Sequence, residues 1–165
     1  GGRSAARAAA VVVSACATGP RLPEVAVARG PVVVYVVRHT AVGGCGRVSR
    51  PLLAAGQVHG GLAMGIGQAL LENAIYDDEG QLLCGSLLDY AMPRATHITD
   101  MDVSFHEVLD PNNELGVKGI GEGGACAAPS AVVIAAIDAL KHLGVTALDM
   151  PMTPERIWRV ISNAQ

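Results

Sequence analysis

The nine residues Gly116-Val117-Lys118-Gly119-Ile120-Gly121-Glu122-Gly123-Gly124 decide how this chain folds, because five are glycine and one is a carboxylate. Glycine lets the backbone come close to a ligand, but ordering it costs much conformational entropy, so the run indicates a binding site. An apolar segment with a proline near its start follows at residues 125–143 and predicts a buried helix. If the first turn of that helix leaves amides free, Glu122 lies beside a cradle for an oxyanion or phosphate.

Part of the same stretch, residues 119–124, also fits the G-x-G-x-x-G pattern of nicotinamide-dinucleotide-binding folds. The strand-like residues 145–148 and the following Asp149 lie at about the distance that the pattern requires. A dinucleotide fold also needs a buried strand that runs into the first glycine. Here a polar turn, residues 110–114, comes before it. The dinucleotide interpretation therefore remains an alternative only.

A second glycine-rich segment, residues 56–72, predicts a helix with one core face. The apolar residues that recur at helical spacing are Leu62, Ile66, Ala69 and Leu70. Glycine inside a helix costs about 1 kcal/mol relative to alanine. The three glycines of the helix body therefore indicate close packing against another element or a ligand, and they are Gly61, Gly65 and Gly67.

The order strand, glycine-rich turn, apolar helix occurs twice, at residues 32–72 and 101–143. The first strand begins at the Val-rich run 31–37 and continues to Val42, and the second spans 101–109. We predict an α+β fold in which two strand–Gly-rich turn–helix units pack on mixed sheets. The two helix N-termini could then converge on one elongated anionic ligand.

The remaining chain supplies a turn and a short terminal helix. Residues 76–81 predict a hairpin turn between two short strands. At the C-terminal end Thr153 predicts an N-cap, with Pro154 and Glu155 in the first helical turn.

The composition fits one packed domain and excludes several classes. Half of the residues are hydrophobic and 16% are charged. A net charge of -3 and 3% aromatic residues give no basis for binding nucleic acid. No apolar run reaches the 18 residues or so of a membrane span. The four cysteines lie far apart and signal neither zinc nor a redox dithiol, so we expect free thiols in a reducing cytoplasm.

The first thirty residues are interpreted separately, as an atypical N-terminal segment that need not be ordered, and residues 31–165 as the domain. Arg3 and Arg7 stand before or within an Ala- and Val-rich run, and residues 13–16 (VSAC) would pass as a lipoprotein cleavage box. The chain begins with glycine and is rich in Ala, Arg, Gly and Pro here. We favour the edge of a fragment or an atypical terminus over a secretion signal.

Residues 111–122, PNNELGVKGIGE, resemble the catalytic-glutamate segment of the molybdenum hydroxylases, the family of xanthine dehydrogenase, aldehyde oxidase and aerobic carbon monoxide dehydrogenase. Three further segments are similar to the same family in the same order, at residues 56–72, 84–95 and 152–160. The resemblance begins near Arg38, and residues 1–30 show none. The family commonly has aspartate before Cys45-Gly46 and Ile-Asn-Pro after it, whereas this chain has Gly44 and residues 48–51, VSRP.

The resemblance implies a chain that forms the second molybdenum-cofactor-binding domain of a large subunit, with no metal ligand of its own. In such an enzyme Glu122 is the base that activates a water-derived nucleophile, and partial burial is expected to raise its pKa. Gln57 is expected to donate to the pterin, although capping of its own helix is the alternative. If Lys118 lies close to Glu122, its positive charge would oppose this rise in the pKa of Glu122. Its side chain is expected mainly outside the pocket. The predicted cofactor-binding residues are Gln57, Gly60, Gly61, Lys118, Gly119 and Gly121.

Glycine is expected to be required at three positions of the central turn, for different reasons. Side chains at Gly121 and Gly123 would crowd the metal, and Gly119 is expected in a tightly packed turn.

The resemblance also implies cofactors and partners. The cofactor is molybdenum-molybdopterin, in the cytosine dinucleotide form, with iron-sulfur clusters and FAD on partner subunits. The predicted partners are a first molybdopterin-binding domain and those subunits, in a cytoplasmic homodimer of heterotrimers acting on a small molecule. The reaction would be hydroxylation of an aldehyde or N-heterocycle, or oxidation of carbon monoxide, with water as the oxygen source. The alternative is a non-catalytic remnant or accessory domain, favoured by Gly44, Ser49 and Arg50.

Overall fold

The structure, a computed structural model, describes residues 5–9, 18–28, 32–98 and 100–164. In these ranges the chain forms a four-stranded mixed sheet in the order β1-β2-β3-β4, with three α-helices. The strands are β1 (Ala5–Ala9), β2 (Thr18–Ala28), β3 (Val33–Gly43) and β4 (Asp100–Phe105). The helices are α1 (Pro51–Leu70), α2 (Ala128–Leu140) and α3 (Pro154–Asn163), with 3₁₀ turns at Ala95–His97 and Lys141–Leu143. This arrangement confirms the α+β class.

Two strands lie in the N-terminal segment, for which the sequence analysis predicts no secondary structure. β1 pairs antiparallel with β2, and β2 pairs antiparallel with β3, so the sheet of the domain includes part of this segment. Between residues 21 and 25 of β2 the buried side chains alternate with more exposed ones, but they include Arg21 and Pro23, which hide the strand pattern. The possible cleavage box at residues 13–16 lies outside the described ranges.

A β-bulge in β3 keeps one face of this strand in the core. Val34 and Val36 are buried, and a strict two-residue period would next bury Arg38. The pairing of β2 with β3 shifts between Val36 and Arg38, which places the extra residue Val37 in β3. After the shift His39, Ala41 and Gly43 return to the buried face, while Arg38 reaches solvent.

The two predicted strand–turn–helix units are both present. β3 and β4 are parallel neighbours, and the connection between them contains α1, as is usual for parallel strands. The connection from β3 to α1 spans residues 44–50, whereas the connection from β4 to α2 spans residues 106–127 and contains the glycine stretch. β4 ends earlier than predicted, and α2 begins at Ala128 rather than at residue 125.

The glycines of α1 allow α1 and α2 to cross closely, as the sequence analysis predicts. A Cβ on Gly61 would lie 2.8 Å from Cα of Gly124, and a Cβ on Gly65 would lie 2.7 Å from Cβ of Ala128. The core that results contains Val25, Ile66, Ala135, Leu140 and Ile157, from β2 and all three helices.

Other expectations have mixed outcomes. Thr153 caps α3 by accepting a hydrogen bond from the Arg156 amide, which confirms the terminal helix. The hairpin at 76–81 is reduced to one bridge between Tyr76 and Leu82. Residues 145–148 form no strand, so the dinucleotide pattern lacks both of its strands. Among the described residues no helix is long and apolar enough to cross a membrane.

Candidate functional site

The glycine stretch is held against the loop that precedes α1. Gly46 and Val117 form an antiparallel bridge, in which the Arg47 amide donates to the Gly116 carbonyl at 2.9 Å. The Lys118 amide donates to the Cys45 carbonyl, also at 2.9 Å. Gly46 has φ of 69°, and a Cβ there would lie 2.3 Å from the Gly116 oxygen. A side chain at position 46 would therefore separate the two segments.

Gln57 joins the second predicted segment to the same place. It lies within α1, and its Nε2 donates to the carbonyl oxygen of Gly121 at 2.7 Å. The N-cap of this helix is Arg50, so the alternative in which Gln57 caps its own helix is wrong. Gln57 and the residue before Glu122 are thus in direct contact.

These two segments form the walls of an open cleft of about 490 Å³. It is lined by Cys45, Arg47, Val48, Ser49, Arg50, Leu53, Ala54, Gln57, Val117, Lys118, Ile120 and Gly121. Lys118 is half-buried and lines the cleft, although the sequence analysis expects its side chain mainly outside. This position in the structure is compatible with the prediction that Lys118 is a cofactor-binding residue.

Glu122 occupies an exposed turn after Gly121 and before α2. Its carbonyl accepts hydrogen bonds from the amides of Ala125 and Cys126 at 3.0 and 3.1 Å, and the Gly123 amide donates to Ile120. These three amides cannot form the predicted cradle beside Glu122, because the turn itself uses them as donors. The predicted partial burial of the carboxylate is also not provided by the described part of this chain.

The predicted glycines fall into two groups. A Cβ at Gly60, Gly119 or Gly121 would meet nothing within 4 Å. The expectation of tight packing at Gly119 is therefore wrong, while the space beside Gly121 is free for a ligand. Gly61 has the opposite environment, since the backbone of Gly124 and Ala125 fills the position of its absent side chain.

A buried arginine that the sequence analysis missed lies under the glycine stretch. The guanidinium of Arg21 donates to the carbonyl oxygens of Val42, at 3.0 Å, and of Gly123, and it also contacts the Pro20 carbonyl. Burial lowers the pKa of Arg21, and the nearby Cys126 thiol opposes that shift. Arg21 thus ties the residue after Glu122 to β3. An inward position on β2 is the signal that could have revealed it, but the strand itself was not predicted.

His39 lies fully buried near Arg21, on the inward face of β3. Burial, together with the positive charge of Arg21, lowers its pKa to about 4. Neither of its ring nitrogens has a hydrogen-bond partner among the described residues. By contrast, His59 contacts the Met101 carbonyl at 3.4 Å.

The site fits an organic cofactor that carries polar and anionic groups. It offers the Gln57 amide, cationic lining residues and unfilled space beside Gly119 and Gly121. Within the described ranges no group of three or more His, Cys, Asp or Glu residues could hold a metal ion. By fold and site the chain is thus of the class of α+β cofactor-binding domains.

Comparison with known proteins defines the family. The sequence model for the molybdopterin cofactor-binding domain matches residues 6–99, which includes part of the segment without visible resemblance. The carbon monoxide dehydrogenase large chain of Hydrogenophaga pseudoflava is 34% identical over 128 residues, or 78% of this chain and 16% of that protein. A putative xanthine dehydrogenase molybdenum-binding subunit of Escherichia coli is 40% identical over 116 residues, covering 68% and 15%.

Solved structures agree with the sequence comparison. Quinoline 2-oxidoreductase from Pseudomonas putida 86 superposes with a TM-score of 0.83 at 40% identity, over 87% of this chain and 18% of that chain. The chain belongs to the molybdopterin cofactor-binding domain family of the xanthine dehydrogenase and carbon monoxide dehydrogenase type of oxidoreductases. It spans 15% to 18% of the length of these relatives.

Proposed function

We propose that this chain is the part of a molybdenum hydroxylase large subunit that binds the pterin cofactor and supplies the catalytic base, Glu122. The observation that carries the proposal is the hydrogen bond from Gln57 to the Gly121 carbonyl. It brings the glutamine segment and the glutamate segment, which are 64 residues apart, to one cleft.

Gln57 has bonding capacity left after it holds the glycine turn. A primary amide has two N–H donors and a carbonyl acceptor, and the contact with Gly121 uses one donor. The second N–H and the carbonyl can bind the pterin ring, whose edge carries both donors and acceptors. The same side chain thus holds the turn before Glu122 and orients the cofactor.

Glu122 would act by taking a proton from the nucleophile at the substrate carbon. The bound molybdenum centre supplies the two-electron chemistry, with water as the oxygen source. A carboxylate that acts as a base needs a pKa closer to the working pH than that of an exposed glutamate. Glu122 is exposed here, so the surroundings that would shield its carboxylate from water would come from the rest of the large subunit. The chain by itself should then be inactive.

The proposed assembly follows the same comparison. We propose cytoplasmic location, the cytosine dinucleotide form of the pterin, and partner subunits with iron-sulfur clusters and FAD. The substrate class is a small aldehyde, an N-heterocycle or carbon monoxide. A homodimer of heterotrimers is the proposed oligomeric state.

The test of the base is Glu122→Gln in the assembled enzyme. Because the amide cannot accept the proton, turnover should fall by about 10²- to 10⁴-fold. Molybdenum and pterin content should stay near normal, as measured by elemental analysis and by release of the oxidised pterin. Glu79→Gln, in an exposed turn, is the control and should leave the rate unchanged. Loss of cofactor together with activity in Glu122→Gln would show a structural residue instead.

The test of the cofactor contact is Gln57→Ala, which should lower the pterin content of the purified enzyme. Gln68→Ala is a matched control, because Gln68 is also exposed on α1 but does not line the cleft. Equal pterin content in both variants would remove the assignment of Gln57.

The second candidate is a non-catalytic accessory domain of the same fold. Gly44, Ser49 and Arg50 favour it, because they depart from the family pattern in the loop that lines the cleft. In that case the natively purified complex would contain no molybdenum. Elemental analysis of the unmodified complex therefore separates the two candidates before any variant is made.

A further inference from the structure

Three cationic residues line the cleft that holds Gln57, and no acidic residue does. They are Arg47, Arg50 and Lys118. Within the described part of the chain none of the three forms an ion pair, whereas Arg38 pairs with Asp102 and Arg159 pairs with Glu155. The cleft therefore carries positive charge that the domain does not itself neutralise.

The backbone fixes where these three charges lie. Arg47 and Lys118 directly follow the bridged residues Gly46 and Val117, and Arg47 Nε also donates to the Leu115 carbonyl at 3.1 Å. Arg50 is the N-cap of α1, a helix of 20 residues whose N-terminal end carries a partial positive charge. The two walls of the cleft and the helix end thus all present positive charge to one volume.

The nearest carboxylate that the contacts identify does not cancel this charge. Glu107 approaches the loop from the segment after β4, and its Oε1 accepts a hydrogen bond from the Val48 amide at 2.6 Å. That oxygen is bound to the backbone, and Glu107 does not line the cleft.

We propose that Arg47, Arg50 and Lys118 form a subsite for a phosphate or diphosphate group. Guanidinium groups bind phosphate oxygens through two parallel hydrogen bonds, and lysine contributes a point charge. A cleft of about 490 Å³ exceeds what one phosphate fills, so the ligand is a phosphate ester with a larger body. This ligand is the pterin cofactor, with its phosphate end in the subsite and its ring toward Gln57. That identification rests on the proposed function and deepens it.

The direct test uses inorganic pyrophosphate and the full-length large subunit that contains this chain, purified without the pterin cofactor, and it requires no turnover. Isothermal titration at low ionic strength should show binding that weakens as salt is added. Arg50→Gln and Lys118→Gln should each weaken it about tenfold, since each removes one charge-assisted contact. Arg50→Lys should lose less, because it keeps the charge. Arg159→Gln, outside the cleft, is the control.

A second arm identifies the source of the phosphate. The same variants are placed in the assembled enzyme and their pterin content is measured after extended dialysis. Lower pterin content together with weaker pyrophosphate binding supports the cofactor as the ligand. Weaker pyrophosphate binding with normal pterin content supports a subsite for a separate phosphorylated ligand and overturns the cofactor assignment. Pyrophosphate affinities equal to that of Arg159→Gln would overturn the subsite, whatever the result of Glu122→Gln.

Discussion

The two sides of the glycine stretch use glycine for opposite purposes. On the packed side, formed by Gly123 and Gly124, the backbone lies against α1 and the Arg21 guanidinium, and an added Cβ at Gly124 would lie 2.3 Å from the Val58 carbonyl. On the open side, formed by Gly119, Gly121 and Glu122, an added Cβ at either glycine meets nothing within 4 Å. Glycine is needed for packing on the first side and leaves room for a ligand on the second.

This difference explains how one short segment can be both rigid and accessible. The packed side fixes the turn to α1 and β3, and the hydrogen bond from Gln57 holds the Gly121 backbone while the space beside Gly119 and Gly121 stays free. A catalytic carboxylate needs such support, because a displacement of about 1 Å can cost a large part of the rate.

Gly124→Ala should have the largest effect and would break the packed side. The new methyl group would overlap Val58 O and Leu62 N, at 2.3 and 2.6 Å, and both are backbone atoms of a helix that cannot move aside singly. We expect a loss of about 3 kcal/mol in the free energy of unfolding, measured by chemical denaturation. Gly56→Ala is the control, because it adds a methyl group to an open position of α1 and should slightly stabilise the helix. A stability of Gly124→Ala within error of wild type would contradict the packing account.

Acidification should have the second largest effect, because it protonates His39, which is buried near Arg21 beneath the packed side. The pKa of His39 is near 4 in the folded chain, below its ordinary value of 6.5, so the unfolded chain binds the proton more tightly. The contribution of His39 to the free energy of unfolding is therefore constant above about pH 6.5. As the pH falls toward 4, the free energy of unfolding should decrease by roughly 3 kcal/mol.

The measurement is the midpoint of urea unfolding at several pH values, for wild type and His39→Leu. The variant should show a smaller dependence on pH between 6.5 and 4. An exposed histidine provides the control, and His106→Gln should keep the wild-type slope. Equal slopes in wild type and His39→Leu would show that other groups cause the acid sensitivity.

Arg21→Met should have an intermediate effect. It leaves the Val42 and Gly123 carbonyls buried without their donor, which should cost about 2 kcal/mol of stability. Arg38→Met is the matched control on β3, because the exposed pair of Arg38 with Asp102 should contribute little to stability. If thermal denaturation shows equal losses in the two variants, Arg21 does not support the glycine turn.

Gly121→Ala should have the smallest effect on stability, below about 0.5 kcal/mol, because its methyl group points into open space. In the assembled enzyme the same methyl group should reduce cofactor content, since it fills the space beside the Gln57 contact. Gly119→Ala tests the same open side two residues earlier in the chain. A strong loss of stability in Gly121→Ala would show that the open side is packed in the native protein.

Several features could be predicted from the sequence because they depend on local pattern. Apolar residues at helical spacing predicted α1, an apolar segment with a proline near its start predicted α2, and Thr153 with Pro154 predicted the start of α3. The glycines at 61 and 65 predicted close packing against another element or a ligand, since glycines inside a helix are costly unless something approaches there.

Other features could not be predicted because they arise from contacts between distant residues. β2 was missed since Arg21 and Pro23 occupy inward positions that apolar residues usually hold. The amide cradle at Glu122 failed because hydrogen bonds inside the turn delay the start of α2 to Ala128. Whether Gly119 is packed or open depends on which distant residues lie near it, and no local sequence pattern contains that information.

The sequence by itself determined the α+β class, the two strand–turn–helix units and the motifs that define the family, because periodicity and glycine content act over a few residues. Only the tertiary structure decided that Gln57 meets Gly121, that Arg21 supports Gly123 and that three cations share the cleft. These contacts join residues more than 60 positions apart, so they exist only after the sheet and the helix crossing have brought the segments together.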